Sequence, residues 1–172
     1  EKKDMTALFI AIEKRNIEIT KLLLNRPEID VNYPFSSSMK KGYSVYQGID
    51  TLEIKKTPLF LAIENGDNNI VDFLLMKNNI NVNEPSENIK CNKYKDNSGE
   101  ISNEKKELLS PLFLAIQKNN VKIVDHLLLK PQIDLNFECL IQNQDGLIRK
   151  TAIELAHENE NKEINDLLNN YI

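Results

Sequence analysis

Apolar residues recur at spacings of three and four in several stretches of the chain, and each stretch divides into two short runs. In one of them Leu59, Ala62 and Ile63 form a first stripe, Ile70, Val71, Phe73, Leu74 and Leu75 form a second, and Gly66 stands between. Such a stripe is one face of a helix, and glycine ends a helix in the left-handed conformation without penalty. The pattern therefore predicts two short antiparallel helices joined by a tight turn. Thr57 before Pro58 and Ser110 before Pro111 mark helix starts. The hydroxyl accepts a free first-turn N–H, and proline at the first helical position has no N–H to leave unpaired. Pro27 and Pro131 stop the second helix in two of the stretches.

The stretches are copies of one another. Laid in register without gaps, Thr6, Thr57 and Ser110 align, as do Leu8, Leu59 and Leu112; Phe9, Phe60 and Phe113; Ala11, Ala62 and Ala115; and Ile12, Ile63 and Ile116. The match continues through Ile19, Ile70 and Ile123 to Ile29, Ile80 and Ile133, and a shorter fourth copy carries Thr151, Ile153, Ala156, Ile164 and Leu167. A lone hairpin of two short helices cannot hide its apolar stripes, so repeated units of this kind must stack.

Thr-Pro-Leu-Phe-x-Ala, a Gly-containing turn, Ile-Val-x-x-Leu-Leu and a closing Ile-Asp-Val-Asn together resemble the ankyrin repeat, with phenylalanine at 9, 60 and 113 where the family pattern has histidine. The resemblance implies an all-α solenoid of helix-turn-helix units with β-hairpin fingers. One domain would span 1–172, with repeats at about 5–32, 57–83, 110–136 and 151–172 and finger insertions at 33–56, 84–109 and 137–150. Asn119 tolerates the left-handed turn position; Arg15 and Glu160 fit it poorly, which leaves the turns of the first and fourth copies open to another geometry.

Helix starts lie 51, 53 and 41 residues apart, against a period of about 33 for ankyrin arrays. The excess falls between the closing asparagines Asn32, Asn83 and Asn136 and the next helix start, where a longer loop costs little. In the third finger Phe137, Cys139 and Ile141 alternate with polar residues around Asp145-Gly146, which predicts a hairpin. A hairpin from Tyr43 to Ile54 around Gly48 is expected in the first, and a mobile tip near Asn97 to Gly99 in the second.

Composition excludes more than it identifies. The chain has 172 residues, 41% hydrophobic and 28% charged, with a net charge of -4. This balance suits a globular chain and supplies no concentrated basic face for nucleic acid or an anionic membrane. No apolar run approaches the roughly 20 residues that span a bilayer. Cys91 and Cys139 make neither a disulfide framework nor a zinc site, so a reducing, cytoplasmic location is expected. His126 and His157 occupy apolar template positions and read as core or rim residues, and the five glycines form no phosphate cradle. No catalytic residue, cofactor or metal is expected.

What remains is surface. By the resemblance, a partner lies along the concave side, which assigns Glu13 and Lys14, Glu64 and Asn65, Gln117 and Lys118, and Glu158 and Asn159 to a binding groove. Tyr43, Tyr46 and Tyr94 in the fingers join this set, since tyrosine offers large contact area with a polar tip. Packing of these rings against their own fingers is the competing reading, and it is the one favoured for Tyr33 and Phe137. The expected function is a non-catalytic scaffold for another protein or peptide; the alternative is a regulatory or targeting arm of a larger protein with an enzymatic domain elsewhere. Asn165, Asp166 and Glu154 give the fourth copy the polar outer side of a terminal cap. Ile10 and Ile17 resemble interior positions, so further repeats are expected before Glu1, and a monomer with weak self-association through this side.

Overall fold

Each copy opens with a hydroxyl that caps a helix. Oγ1 of Thr6, Thr57 and Thr151 and Oγ of Ser110 accept the backbone N–H three residues on, at 3.1, 3.2, 3.3 and 3.2 Å. The computed structural model describes residues 2–42, 49–96, 99–143 and 146–171, with side chains over the same residues except 2–4, 41–42, 49, 92–96, 99–103 and 143. From these caps run the first helices α1 (Ala7–Glu13), α3 (Pro58–Asn65), α5 (Pro111–Gln117) and α7 (Ala152–Glu158). The second helices are α2 (Ile17–Leu24), α4 (Asn68–Leu75), α6 (Val121–Leu128) and α8 (Lys162–Tyr171).

All four turns between paired helices take the same left-handed residue: Arg15 at φ 53°, Gly66 at 72°, Asn119 at 56° and Glu160 at 53°. The first and fourth copies thus do not depart from the others. Backbone hydrogen bonds within the copies support the conformation. Within copies one to three the N–H after the turn residue (Asn16, Asp67, Asn120) returns to the carbonyl of Ala11, Ala62 or Ala115 at 2.9 to 3.1 Å. Arg15 also anchors outward, its Nη2 donating to the Asn65 carbonyl at 2.8 Å.

First helices pack on first helices, α1 on α3, α3 on α5 and α5 on α7, and second helices do the same. The shared core contains Ile12, Leu59, Ile63, Ile70, Leu74, Ile116, Leu127 and Ile164, all fully buried. Each such side chain contributes about 1.5–3 kcal/mol by leaving water. Burial at one template position depends on its neighbours: Leu61 and Leu114, with a copy on either side, are 8% and 5% exposed, while Ile10 in the first copy is 42% exposed.

The expectation of an all-α chain is overturned by the sheet. Strands β1 (Lys2–Asp4), β2 (Phe35–Gly42), β3 (Ile49–Lys56), β4 (Ser86–Asp96), β5 (Gly99–Leu109), β6 (Cys139–Asn143) and β7 (Gly146–Lys150) form one antiparallel sheet in sequence order. The ankyrin-type helical stack is retained, so the fold is mixed α and β. The long insertions explain the difference. Isolated hairpins would leave two unpaired edges each, whereas strands of eight and eleven residues reach the next finger and pair there. Ile49 to Lys55 of β3 pair with Lys93 to Glu87 of β4, joining the first two fingers. The third finger, with its two five-residue strands, joins where Leu108 pairs with Leu140.

The first hairpin is also longer than the expected Tyr43 to Ile54, since it starts at Phe35, in register with Lys56. Gly48 and the tip residues Asn97, Ser98 and Asp145 lie outside the described residues; Gly99 begins β5 and Gly146 begins β7.

Candidate functional site

One face of the sheet looks onto the first-helix row, and a trough runs between them. Phe35 at the base of β2 stacks on Phe9 of α1, with ring centroids 4.6 Å apart and planes 20° from parallel. The phenylalanine that stands in place of the family's histidine thus meets an apolar ring from the finger. Opposite α3, Lys56 Nζ reaches both carboxylate oxygens of Glu64 at 2.7 Å, and the equivalent Lys150 bonds Glu158 at 2.5 Å.

These lysines were not among the expected site residues. Their signal is nonetheless present: lysine directly precedes the capping residue in the second and fourth copies, and these copies carry glutamate eight positions later. Where the third copy has Leu109 before its cap, the partner position is Gln117.

The expected groove residues all lie at or just beyond the ends of the first helices, but they do different things. Glu13, Lys14, Gln117 and Lys118 are exposed. Glu64 and Glu158 are held by lysines from the sheet. Asn65 Nδ2 donates to the Ile12 carbonyl at 3.1 Å and Asn159 Nδ2 to the Ile116 carbonyl at 3.2 Å, so both amides bond one copy to the one before it. Tyr43 and Tyr46 lie outside the described residues. Tyr94 is placed by its backbone in β4 opposite Ile101, and its side chain lies outside the described residues. Tyr33, expected to pack, is 46% exposed, while Phe137 is half-buried.

The trough deepens between α3, α5, β4 and β5 into a cavity of about 230 Å³. Phe60, Leu109 and Leu114 provide its apolar lining, and its polar lining includes the ion pair of Lys56 with Glu64 as well as Ser86, Asn88, Glu107, Gln117 and Lys118. Asn88 Nδ2 donates to Glu107 Oε2 across a long 3.4 Å, while Asn88 Oδ1 is buried with no hydrogen-bond partner among the described residues.

On the opposite side, Asp72 of α4 receives Lys122 Nζ at 3.2 Å and His126 Nδ1 at 2.5 Å, both from α6. His126 is therefore a rim residue bonding adjacent copies, and His157 is exposed. Among the described residues no three His, Cys, Asp or Glu side chains are grouped to hold a metal, and no helix is long and apolar enough to cross a membrane. Burial pushes the Cys139 thiol above its usual range, against the smaller opposing effect of its hydrogen bonds with Ser110.

The helical stack, its turns and its closing loops define a repeat module. A family model described as ankyrin repeats (three copies) matches residues 1–86 and again residues 44–139, and the chain belongs to the ankyrin repeat family. A comparison with curated proteins finds no match. Ankyrin repeats are in general protein–protein interaction modules and typically non-catalytic.

Proposed function

We propose that this chain is a non-catalytic scaffold that holds a protein or peptide partner in the trough between its sheet and its first-helix row, with the finger tyrosines Tyr43, Tyr46 and Tyr94 extending the contact. One observation supports the reading above others. The template positions that pack the stack repeat almost unchanged, while the groove row differs in charge between copies, with Gln117 against Glu13, Glu64 and Glu158, and Asn65 and Asn159 against Lys14 and Lys118. A rigid stack presenting such a row lowers the ordering cost of binding. We further propose a cytoplasmic, reducing location, in keeping with a chain that carries two cysteines, Cys91 and Cys139.

Affinity capture tests the scaffold. Three baits are compared: the unaltered chain, a trough variant (Glu13, Lys14, Gln117 and Lys118 all to Ala) and a far-side variant (Lys162, Asn169 and Asn170 to Ala). The expected partner is retained by the first and third baits and lost by the second. Identical captures by all three would remove the trough from the proposal.

A further inference from the structure

In the second finger two lysines stand directly against each other, Lys90 of β4 in register with Lys105 of β5, and both are exposed. Strand alternation puts them on the face that carries Asn88 and Glu107, two residues nearer the fingertip, and so on the side that looks onto the first helices. Like charges in opposed positions of an antiparallel pair repel, and an anion held between them offsets that repulsion. Elsewhere along the trough the charges are matched. Lys56 with Glu64, Lys150 with Glu158 and Glu13 with Lys14 are ion pairs, and Asp50 is in register with Lys41 on the next strand. Among the described residues neither Lys90, Lys105 nor the exposed Lys118 has an ion-pair partner, and the carboxylate beside them, Glu107, meets only Asn88 at 3.4 Å. Three cations around one acid leave the middle of the trough positive, in a chain whose net charge is -4.

On the reading of the trough as the binding face, we propose that this stretch takes an acidic extended segment of the partner, with one carboxylate seated between Lys90 and Lys105. A carboxylate carries two acceptor oxygens and can receive both ammonium groups at once. Side chains two apart in an extended segment share one face at a spacing of about 6.5 Å, so a Glu-x-Glu segment offers further acids to the same face. A nucleic-acid strand suits the stretch less well. Glu107 lies within it and Glu64 on its helix side, and both oppose an unbroken row of phosphates more than they oppose acids separated by neutral residues.

The probe is the blocked peptide N-acetyl-Glu-Ser-Glu-Ser-Glu-Ser-amide, titrated into the ¹⁵N-labelled chain, with its glutamine analogue and a thymidine oligonucleotide for comparison. Saturable shifts are expected at the backbone amides of Lys90, Lys105 and Lys118, weakened by added salt and absent with the glutamine peptide. Replacing Lys90 and Lys105 together by Gln should weaken binding about tenfold. Replacing Lys40 and Lys106 by Gln removes the same charge from the opposite face of the sheet and should change it less than about twofold. Equal losses in the two double variants, or equal shifts with the glutamine peptide, would overturn the assignment, and tighter binding of the oligonucleotide would give the stretch to a nucleic acid instead. Should the strand variants disturb the sheet, Lys118→Gln still decides, because an unchanged affinity there contradicts the proposed stretch. A failed titration alongside trough-dependent capture removes the acidic segment and leaves the scaffold; failure of both removes the trough.

Discussion

Asn83 and Asp134 are joined across two copies: Oδ1 of Asn83 accepts the Asp134 N–H at 3.0 Å, and Nδ2 of the same side chain donates to the Gln132 carbonyl at 2.6 Å. Asn32 repeats the arrangement one copy earlier, with the Asn81 N–H at 2.8 Å and the Asn79 carbonyl at 2.7 Å. The asparagine that closes each of the first two copies therefore ties its loop to the next. Removing it leaves two backbone groups to find water, so Asn83→Ala is expected to lower stability by about 1–2 kcal/mol. Asn136, the third closing asparagine, is exposed, and Asn136→Ala should change stability by less than about 0.5 kcal/mol. Urea unfolding of both variants checks the contrast; equal losses would mean that the bonds between copies contribute nothing.

The turn residues make a second test. Gly66 sits at φ 72° with open space where a Cβ would stand, so Gly66→Ala meets only backbone strain and should cost about 1 kcal/mol. Glu160 already bears that strain, and Glu160→Gly is expected to stabilise by about 0.5 kcal/mol after the entropy of an added glycine is counted. Arg15→Gly relieves the same strain but loses the bond to Asn65, so it should gain nothing. Thermal melts of the three variants rank them, and destabilisation by Glu160→Gly would contradict the account.

Cys139 is fully buried, its Sγ accepting the Ser110 N–H at 3.2 Å. Because burial raises its pKa, the folded chain holds the thiol proton more tightly than the unfolded chain does. The resulting stability is complete below the ordinary thiol pKa and is lost as pH rises through the raised one. Iodoacetamide should label Cys139 at least tenfold more slowly in the native protein than in urea, and Cys139→Val should flatten the alkaline loss of stability. Rapid native labelling at this residue, read by peptide mass, would rule out the sealed site.

Glu154 tests the opposite sign. Its carboxylate accepts from the Thr151 N–H at 2.7 Å and the Thr151 hydroxyl at 3.0 Å, and these bonds hold its pKa below the usual carboxylate range. That contribution is present above the ordinary pKa and vanishes as pH falls through the lowered one. Glu154→Ala should thus be less stable than the parent at pH 7, and the two urea midpoints should converge as the pH falls through the lowered pKa. A gap of constant size across that range would show that the carboxylate's charge plays no part.

Much of this molecule was legible because its decisive interactions are local. The hydroxyl caps join residues three apart, and the left-handed turn and the apolar stripes lie within single copies. Comparing copies then separated packing from surface, since Ala62 and Ile63 match Ala11 and Ile12 in the first copy and Ala115 and Ile116 in the third, while Gln117 and Asn65 stand where the first copy has Glu13 and Lys14. The groove was legible only in part. Asn65 and Asn159 looked like free surface amides, and nothing in their local sequence marks Ile12 and Ile116, 53 and 43 residues away, as their acceptors.

Taken alone, the order of residues determined that helical pairs would form, where each begins and turns, and which face each must bury. Only the tertiary structure decided that the fingers join in one sheet, that Lys56 and Lys150 neutralise the acids of the first helices, and that a cavity opens over Asn88 and Glu107. The physical reason is range. Helix propensity, capping and amphipathic spacing act within a few residues, whereas strand pairing and the fate of a polar side chain depend on groups supplied by another copy, which the stacking alone brings within reach.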